Sequence, residues 1–311
     1  MDRRVPAALW RLSRPSQLAL IALVYALGVA MAYGRGHGGT TVAPRVWFGL
    51  VALLPVAASV HYANEYADIE TDALTDRTPF SGGSGALVDT GLPRGLALRA
   101  GIVTGGLGVG LVGFGIASER TGLTGEPVFP LTAATLLAGI LVAGWQYSVG
   151  PLRLAWNGLG APTNALLGGV ALPLYGFAVV AGEVTLPAAL ATLPFGVVVF
   201  VNLLETTWPD RRADAAVGKR TLATRWSSRR LRVAYGVGGA AAAVVTVALA
   251  GRVVPPVVTG ATLLPLIGLV PGYRRFTRCD EPLPAVATMV ALAAATTVGW
   301  GLVAVGIGPG A

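Results

Sequence analysis

The chain is poor in charge, nearly devoid of histidine and almost without cysteine. Only 12% of its 311 residues are charged while 54% are apolar, which is too little polar surface to clothe a soluble globule of this size. Cys279 is the single cysteine, so an internal disulfide and a cysteine metal cluster are both excluded. His37 and His61 are the only histidines, and any metal chemistry therefore rests on oxygen ligands. Although the net charge is +8, the basic residues form no aromatic-interleaved stripe, and nucleic acid is not an implied partner.

What the chain does have is apolar sequence that recurs from residue 15 to the C-terminus. Nine candidate spans fall at 15–33, 46–64, 96–118, 129–148, 160–181, 185–208, 231–250, 253–272 and 283–307. Each suits a hydrocarbon core of ~30 Å at a rise of ~1.5 Å per residue. The expectation is an all-α integral membrane protein forming one domain over residues 1–311, with the lipid bilayer as its solvent. Glycines and prolines inside the spans are tolerated because neighbouring helices re-satisfy the freed backbone groups. Ala30-Met31-Ala32 superficially fits a cleavable signal. The apolar run Pro15 to Tyr33 is long enough to span, however, and is taken as the first membrane helix.

The basic residues choose an orientation. With the N-terminus in the cytoplasm, 19 of the 23 Lys and Arg residues face inward, Arg3, Arg4, Arg11 and Arg14 among them. Only Arg35, Arg45, Arg120 and Arg252 face outward. The positive-inside rule thus predicts a multi-pass protein of the cytoplasmic membrane with a cytoplasmic N-terminus. Trp145, Trp156, Trp208 and Trp300 lie near span ends and are expected to be interfacial anchors. A nominal GxGxxG at Gly108, Gly110 and Gly113 has no strand before it, so it does not mark a dinucleotide loop. The small-xxx-small pair Gly106 and Gly110 predicts close helix packing instead.

Two acidic segments carry the chemistry. Asn64, Asp68 and Asp72 recur every four residues and project from one helical face. Asp210 and Asp214 repeat that spacing at the end of the sixth span. Carboxylates so close to one another and to a membrane core require a compensating cation. An all-oxygen set suits Mg²⁺, and Mg²⁺ commonly completes its shell with substrate phosphates. Arg153, Lys219 and Arg220 supply cations for further phosphate oxygens, so a diphosphate is the implied ligand. Glu70, Asp76 and Asp89 are expected to be solvated loop charges, and His61 a helix-packing residue.

These motifs resemble those of the UbiA superfamily of intramembrane prenyltransferases. Three segments carry the resemblance: Asn64-x3-Asp68-x3-Asp72; Tyr147-Ser148-Val149-Gly150-Pro151-Leu152-Arg153-Leu154 with Gly158-Leu159-Gly160; and Asp210-x3-Asp214 running into Gly218-Lys219-Arg220-Thr221-Leu222. The resemblance implies nine helices around a central cavity and a Mg²⁺-held polyprenyl diphosphate beneath a cytoplasmic cap. On that basis Asn64, Asp68, Asp72, Asp210 and Asp214 are metal and diphosphate residues. Arg14, with Arg11 as the alternative, Arg153 and Lys219 grip the diphosphate, and Tyr147 faces the allylic carbon. The run Phe80-Ser81-Gly82-Gly83-Ser84 and Trp208-Pro209-Asp210 look most like the menaquinone-type branch, whose acceptor is 1,4-dihydroxy-2-naphthoate. The 4-hydroxybenzoate and ether-lipid branches usually show an Arg-x3-Arg-Pro continuation that is missing here. One departure is that Glu205, Thr206 and Thr207 stand where that branch places asparagine, with Glu205 or a threonine hydroxyl as possible oxygen ligands. A cation-coupled secondary transporter is the rival class, and it predicts acids near mid-helix and paired inverted repeats.

Overall fold

The computed structural model describes residues 4–39, 42–78, 80–120 and 129–307, with the backbone alone at 119 and 120. Arg3 and the Arg120 side chain, which bear on the orientation, lie outside that description. Fifteen α-helices follow in chain order: α1 Arg4–Leu12, α2 Pro15–Gly34, α3 Val42–Leu74, α4 Ala86–Thr90, α5 Gly95–Arg120, α6 Leu131–Ser148, α7 Gly160–Leu166, α8 Leu172–Ala181, α9 Leu186–Thr206, α10 Arg211–Ala216, α11 Leu222–Arg225, α12 Ser228–Leu249, α13 Pro256–Leu266, α14 Leu269–Arg275 and α15 Leu283–Ala304. Among the described residues they supply nine segments long and apolar enough to cross a membrane, at the nine places expected.

Three spans are interrupted, each for a local reason. Arg14 takes left-handed backbone (φ 52°) ahead of Pro15 and separates α1 from α2. A π-turn over Leu167–Ala171 joins α7 to α8 just before Pro173, where proline withholds an N–H and the ladder must adjust. Pro265 precedes the break between α13 and α14, so the expected single helix over 253–272 is two pieces.

The second span's helix outruns its apolar stretch 46–64: α3 is 33 residues long and ends at Leu74. At ~1.5 Å per residue it is about 50 Å long, so its acidic final turns continue beyond the apolar stretch as helix. Asp68 and Asp72 therefore keep the four-residue register on a rigid element.

Helix packing orders the bundle. α2 packs on α8 and α15, α3 on α5 and α6, and α9 on α12. The Tyr25 hydroxyl donates to the Val46 carbonyl and the Tyr175 hydroxyl to the Gly49 carbonyl, both at 2.7 Å, tying α2 and α8 to α3. The close packing expected at Gly106 and Gly110 does not occur; α5 packs through other glycines on a different face. A Cβ on Gly105 would sit 2.8 Å from Ser59 Oγ and one on Gly108 2.5 Å from Val56 Cγ2, while Gly106, Gly110 and Gly113 face open space. Gly101, Gly105 and Gly108 form an i, i+4, i+7 stripe against α3, and the Gly106–Gly110 pair points away.

The tryptophans also depart from expectation. Trp208 and Trp300 are buried, at 8% and 2% exposure, whereas Trp10 and Trp47, at 67% each, face outward. Trp145 donates from Nε1 to Ser59 Oγ at 2.9 Å, which makes it a packing residue.

Candidate active site

The two acidic motifs meet through a lysine. Lys219 follows Asp214 by five residues in the turn between α10 and α11, and its Nζ lies 2.9 Å from Asp68 Oδ1 and 3.5 Å from Asp214 Oδ1. One ammonium thus links α3 to the α9–α10 corner, which are 151 residues apart in sequence for the Asp68 contact. Asp68 and Asp214 are buried, at 8% and 2% exposure. The Asp210 and Asp214 Oδ1 atoms are buried without a hydrogen-bond partner, so the longer Lys219–Asp214 contact is an ion pair only.

The electrostatics follow from this crowding. Burial, and secondarily the Asp214 charge, pushes the Asp210 carboxyl up to about 7 against the pull of Lys219 and the Gly82 backbone N–H. Burial likewise raises Asp214 to about 6, opposed mainly by Lys219. For Lys219, burial favours loss of the proton, but Asp68 and Asp214 outweigh it and the net shift is upward. The ammonium therefore stays charged while the carboxylates resist ionisation.

A glycine-rich loop closes over the acids. Gly82 and Gly83 both take left-handed backbone, with φ 78° and 62°, a region that β-carbons disfavour. At Gly83 any Cβ would also collide with the Asp72 carboxylate. Next in the loop, Ser84 donates its backbone N–H to Glu65 Oε1 at 2.8 Å and its hydroxyl to Glu65 Oε2 at 2.7 Å. The same glutamate holds Arg14, with Nε and Nη2 both 2.6 Å from Oε1.

The remaining expected residues divide. Asn64 Oδ1 accepts the Ser148 hydroxyl at 2.9 Å, which places it beside the end of α6. Tyr147, on the preceding residue, has Lys219, Asp68, Asp214 and Arg14 as electrostatic neighbours. Arg153 has left-handed backbone (φ 40°) and its guanidinium lies 4.2 Å from the centroid of Trp156, which also carries Lys219 Nζ at 5.6 Å. Trp156 is thus part of the site and no interfacial anchor. Arg153 and Arg220 are both exposed, and Arg220 joins the site only through its backbone N–H, which donates to the Trp156 carbonyl at 2.9 Å. The reason is local: Lys219 and Arg220 are neighbours on a turn and cannot both face inward.

Neither Glu205 nor the threonines supply ligands here. The Thr206 and Thr207 hydroxyls donate back to the Asn202 and Leu203 carbonyls. Glu205 turns toward α12 and α14: a Cβ on Gly272 would meet the Tyr235 hydroxyl and stand 3.2 Å from Glu205 Oε2. His61 packs as expected, with Nδ1 2.8 Å from the Ser13 carbonyl. Asp89 and Glu70 pair with arginines at the exposed surface.

Glu65 and Trp156 were missed by sequence reasoning. Glu65 precedes Asp68 and Asp72 by three and seven residues, a helical spacing that marks their face. Trp156 carries no such signal. Among the described residues no three acidic, histidine or cysteine side chains form a ready metal cage. Mg²⁺ usually takes one or two carboxylates and completes its shell with phosphates and water. The unpartnered oxygens of Asp210 and Asp214 are donors of the right kind.

A helical membrane bundle with acids and cations gathered at one end is the architecture of an intramembrane enzyme acting on an anionic substrate. A family model described as UbiA prenyltransferase family matches residues 19–295, and the chain belongs to that family. It is a prenyltransferase. A UbiA homologue from Archaeoglobus fulgidus solved with GPP and Mg²⁺ is similar in fold, with a TM-score of 0.69 at 17% identity, covering 96% of this chain and 100% of that one. The same homologue with DMAPP and Mg²⁺ gives 0.68 at 16% identity over 94% and 98% of the two chains. A digeranylgeranylglyceryl phosphate synthase gives 0.63 at 12% identity over 97% and 99%. No curated protein matches the sequence.

Proposed function

We propose that the chain is a single-domain enzyme of the cytoplasmic membrane. It transfers an isoprenyl chain from a polyprenyl diphosphate to 1,4-dihydroxy-2-naphthoate, with Mg²⁺ as cofactor and its site facing the cytoplasm. The observation that carries the diphosphate half is the convergence of Asp68, Asp72, Asp210 and Asp214 with Lys219 and Arg14 in one partly buried cluster. Solved relatives holding GPP or DMAPP with Mg²⁺ support the same reading. The acceptor assignment rests on the Phe80–Ser84 run lying over that cluster in place of an arginine-rich continuation.

Bound among these carboxylates, Mg²⁺ would neutralise charge on the diphosphate. Asn64, Asp68, Asp72, Asp210 and Asp214 would be the candidate oxygen donors to it, with phosphates and water completing its shell. Lys219 and Arg14 lie within the cluster and Arg153 at its rim, and they hold the phosphate oxygens as the allylic C–O bond breaks. Such fixed charges act more strongly in a water-poor site than in water. Tyr147, in electrostatic reach of Lys219 and Asp68, is the residue assigned to face the allylic carbon. The apolar interior keeps water from the cation, which an electron-rich aromatic ring then attacks. For a dihydroxynaphthoate acceptor, the resemblance implies that the ring carboxylate is lost.

The test is a purified enzyme assayed with radiolabelled geranyl diphosphate and a panel of acceptors, with product masses read out. Prenylated, decarboxylated naphthoate is expected, and Asp68→Asn and Asp210→Asn should both abolish it. Product only with 4-hydroxybenzoate or a glycerol-based lipid overturns the acceptor. Cation flux in loaded vesicles without prenyl transfer overturns the enzyme in favour of the transporter.

A further inference from the structure

Glu65 is the most heavily engaged side chain at the site, and the reaction as described gives it no role. It lies on the face of α3 that carries Asp68 and Asp72 and is 2% exposed. Its two oxygens take Arg14 Nε and Nη2 at 2.6 Å, the Ser84 N–H at 2.8 Å and the Ser84 hydroxyl at 2.7 Å. Three of these donors converge on Oε1 and the Ser84 hydroxyl takes Oε2, so Glu65 engages both segments at once.

Its partners come from the two segments that flank the acids. Arg14 sits at the left-handed break between α1 and α2, and α3 holds that break at two more points. The Tyr62 hydroxyl donates to the Leu9 carbonyl at 3.0 Å, and His61 Nδ1 meets the Ser13 carbonyl at 2.8 Å. Asp72 and Asp68 are the other acids in electrostatic reach of Arg14. Ser84 belongs to the loop that lays Gly83 against Asp72 and brings the Gly82 N–H to Asp210. One carboxylate thus fixes a guanidinium from the start of α2 and a backbone loop that follows α3.

We propose that Glu65 is a positioning residue: it holds the Arg14 guanidinium and the 81–85 loop in place over the diphosphate pocket. It acts through Arg14 and Ser84 and does not touch substrate. A planar guanidinium held through Nε and Nη2 keeps Nη1 outside that contact, as the nitrogen for a phosphate oxygen. Without the clamp, Arg14 gains rotamer freedom that diphosphate binding must then remove.

This proposal rests on the reading of the cluster as a Mg²⁺–diphosphate site, and the experiment separates the two. Full-length protein in nanodiscs is titrated with inorganic diphosphate in the presence of Mg²⁺, alongside kinetics with geranyl diphosphate. Glu65→Gln should weaken diphosphate binding and raise the KM for geranyl diphosphate by about tenfold, the worth of one charge-assisted hydrogen bond. The acceptor KM should stay unchanged, and Glu65→Asp should recover part of the loss. Arg14→Ala combined with Glu65→Gln should be no worse than Arg14→Ala alone, within about twofold. If Glu65→Gln does not fold, Ser84→Ala removes only the hydroxyl partner and should still raise the donor KM selectively. Wild-type diphosphate binding in Glu65→Gln, multiplying losses in the double variant, or an equal change in kcat and both KM values would overturn the proposal. If Asp68→Asn also binds Mg²⁺–diphosphate normally, the site reading itself fails; if Asp68→Asn loses it while Glu65→Gln does not, only the role of Glu65 falls.

Discussion

Replacing Lys219 with methionine isolates the charge that joins the two acidic motifs. The stem and volume are kept and only the ammonium is lost. At an effective dielectric of about 20, its contacts at 2.9 and 3.5 Å are each worth roughly 5 kcal/mol of attraction before desolvation is counted. The Lys219 side chain is 11% exposed and its partners 12% and 3%, so desolvation cancels much of that attraction. Removing one member of such a group, however, leaves the others buried and unpaired, at a cost of about 3–5 kcal/mol. Lys219→Met should therefore melt several degrees below wild type in detergent with a chelator present. Millimolar Mg²⁺ should recover more stability in the variant than in wild type, because a dication can satisfy the carboxylates that the ammonium no longer serves. Equal melting in chelator, or an equal response to Mg²⁺, would refute this account of the cluster.

Further outcomes follow from other parts of the molecule. Asp210 and Asp214 are raised to about 7 and about 6 from the ordinary carboxylate value, so the folded state retains protons that the unfolded chain releases. The stability this contributes is full below the ordinary value and is lost progressively as pH rises from there through about 6–7; melting in chelator should fall over that whole range while calorimetric Mg²⁺ affinity rises. Cys279 is exposed beside Arg278, and the proposed orientation puts it in the cytoplasm. A membrane-impermeant maleimide should label it in inside-out vesicles and leave it unlabelled in intact cells; the reverse pattern would invert the topology. Gly28→Val should sharply lower the yield of folded protein on size exclusion, because a Cβ there meets the Pro173 carbonyl backbone of α8. Gly106→Ala, facing open space, should leave that yield unchanged.

Some of these features were legible in the sequence because they depend on local periodicity. Apolar runs are set by the length a bilayer demands, and a four-residue acidic spacing fixes a helical face wherever the helix continues. Asn64, Asp68 and Asp72 could be grouped for that reason, as could Asp210 with Asp214. Other features depend on which side of a helix meets which neighbour. The glycines of α5 illustrate this: spacing alone fitted Gly106 and Gly110, but the register of α5 on α3 buries Gly105 and Gly108. Arg220 was indistinguishable from Lys219 by sequence, and the turn after α10 sends one inward and the other to solvent.

The sequence by itself therefore determined the solvent, the nine crossings, the oxygen-donor chemistry and the two acidic faces, since each follows from composition or from spacing within one helix. Only the tertiary structure decided that Lys219 bridges those faces, that Glu65 is consumed by Arg14 and Ser84, and that Glu205 turns away toward Tyr235. Those outcomes depend on contacts between segments tens to more than a hundred residues apart. Burial also leaves each carboxylate few partners, so the packing of the bundle selects which cation it keeps.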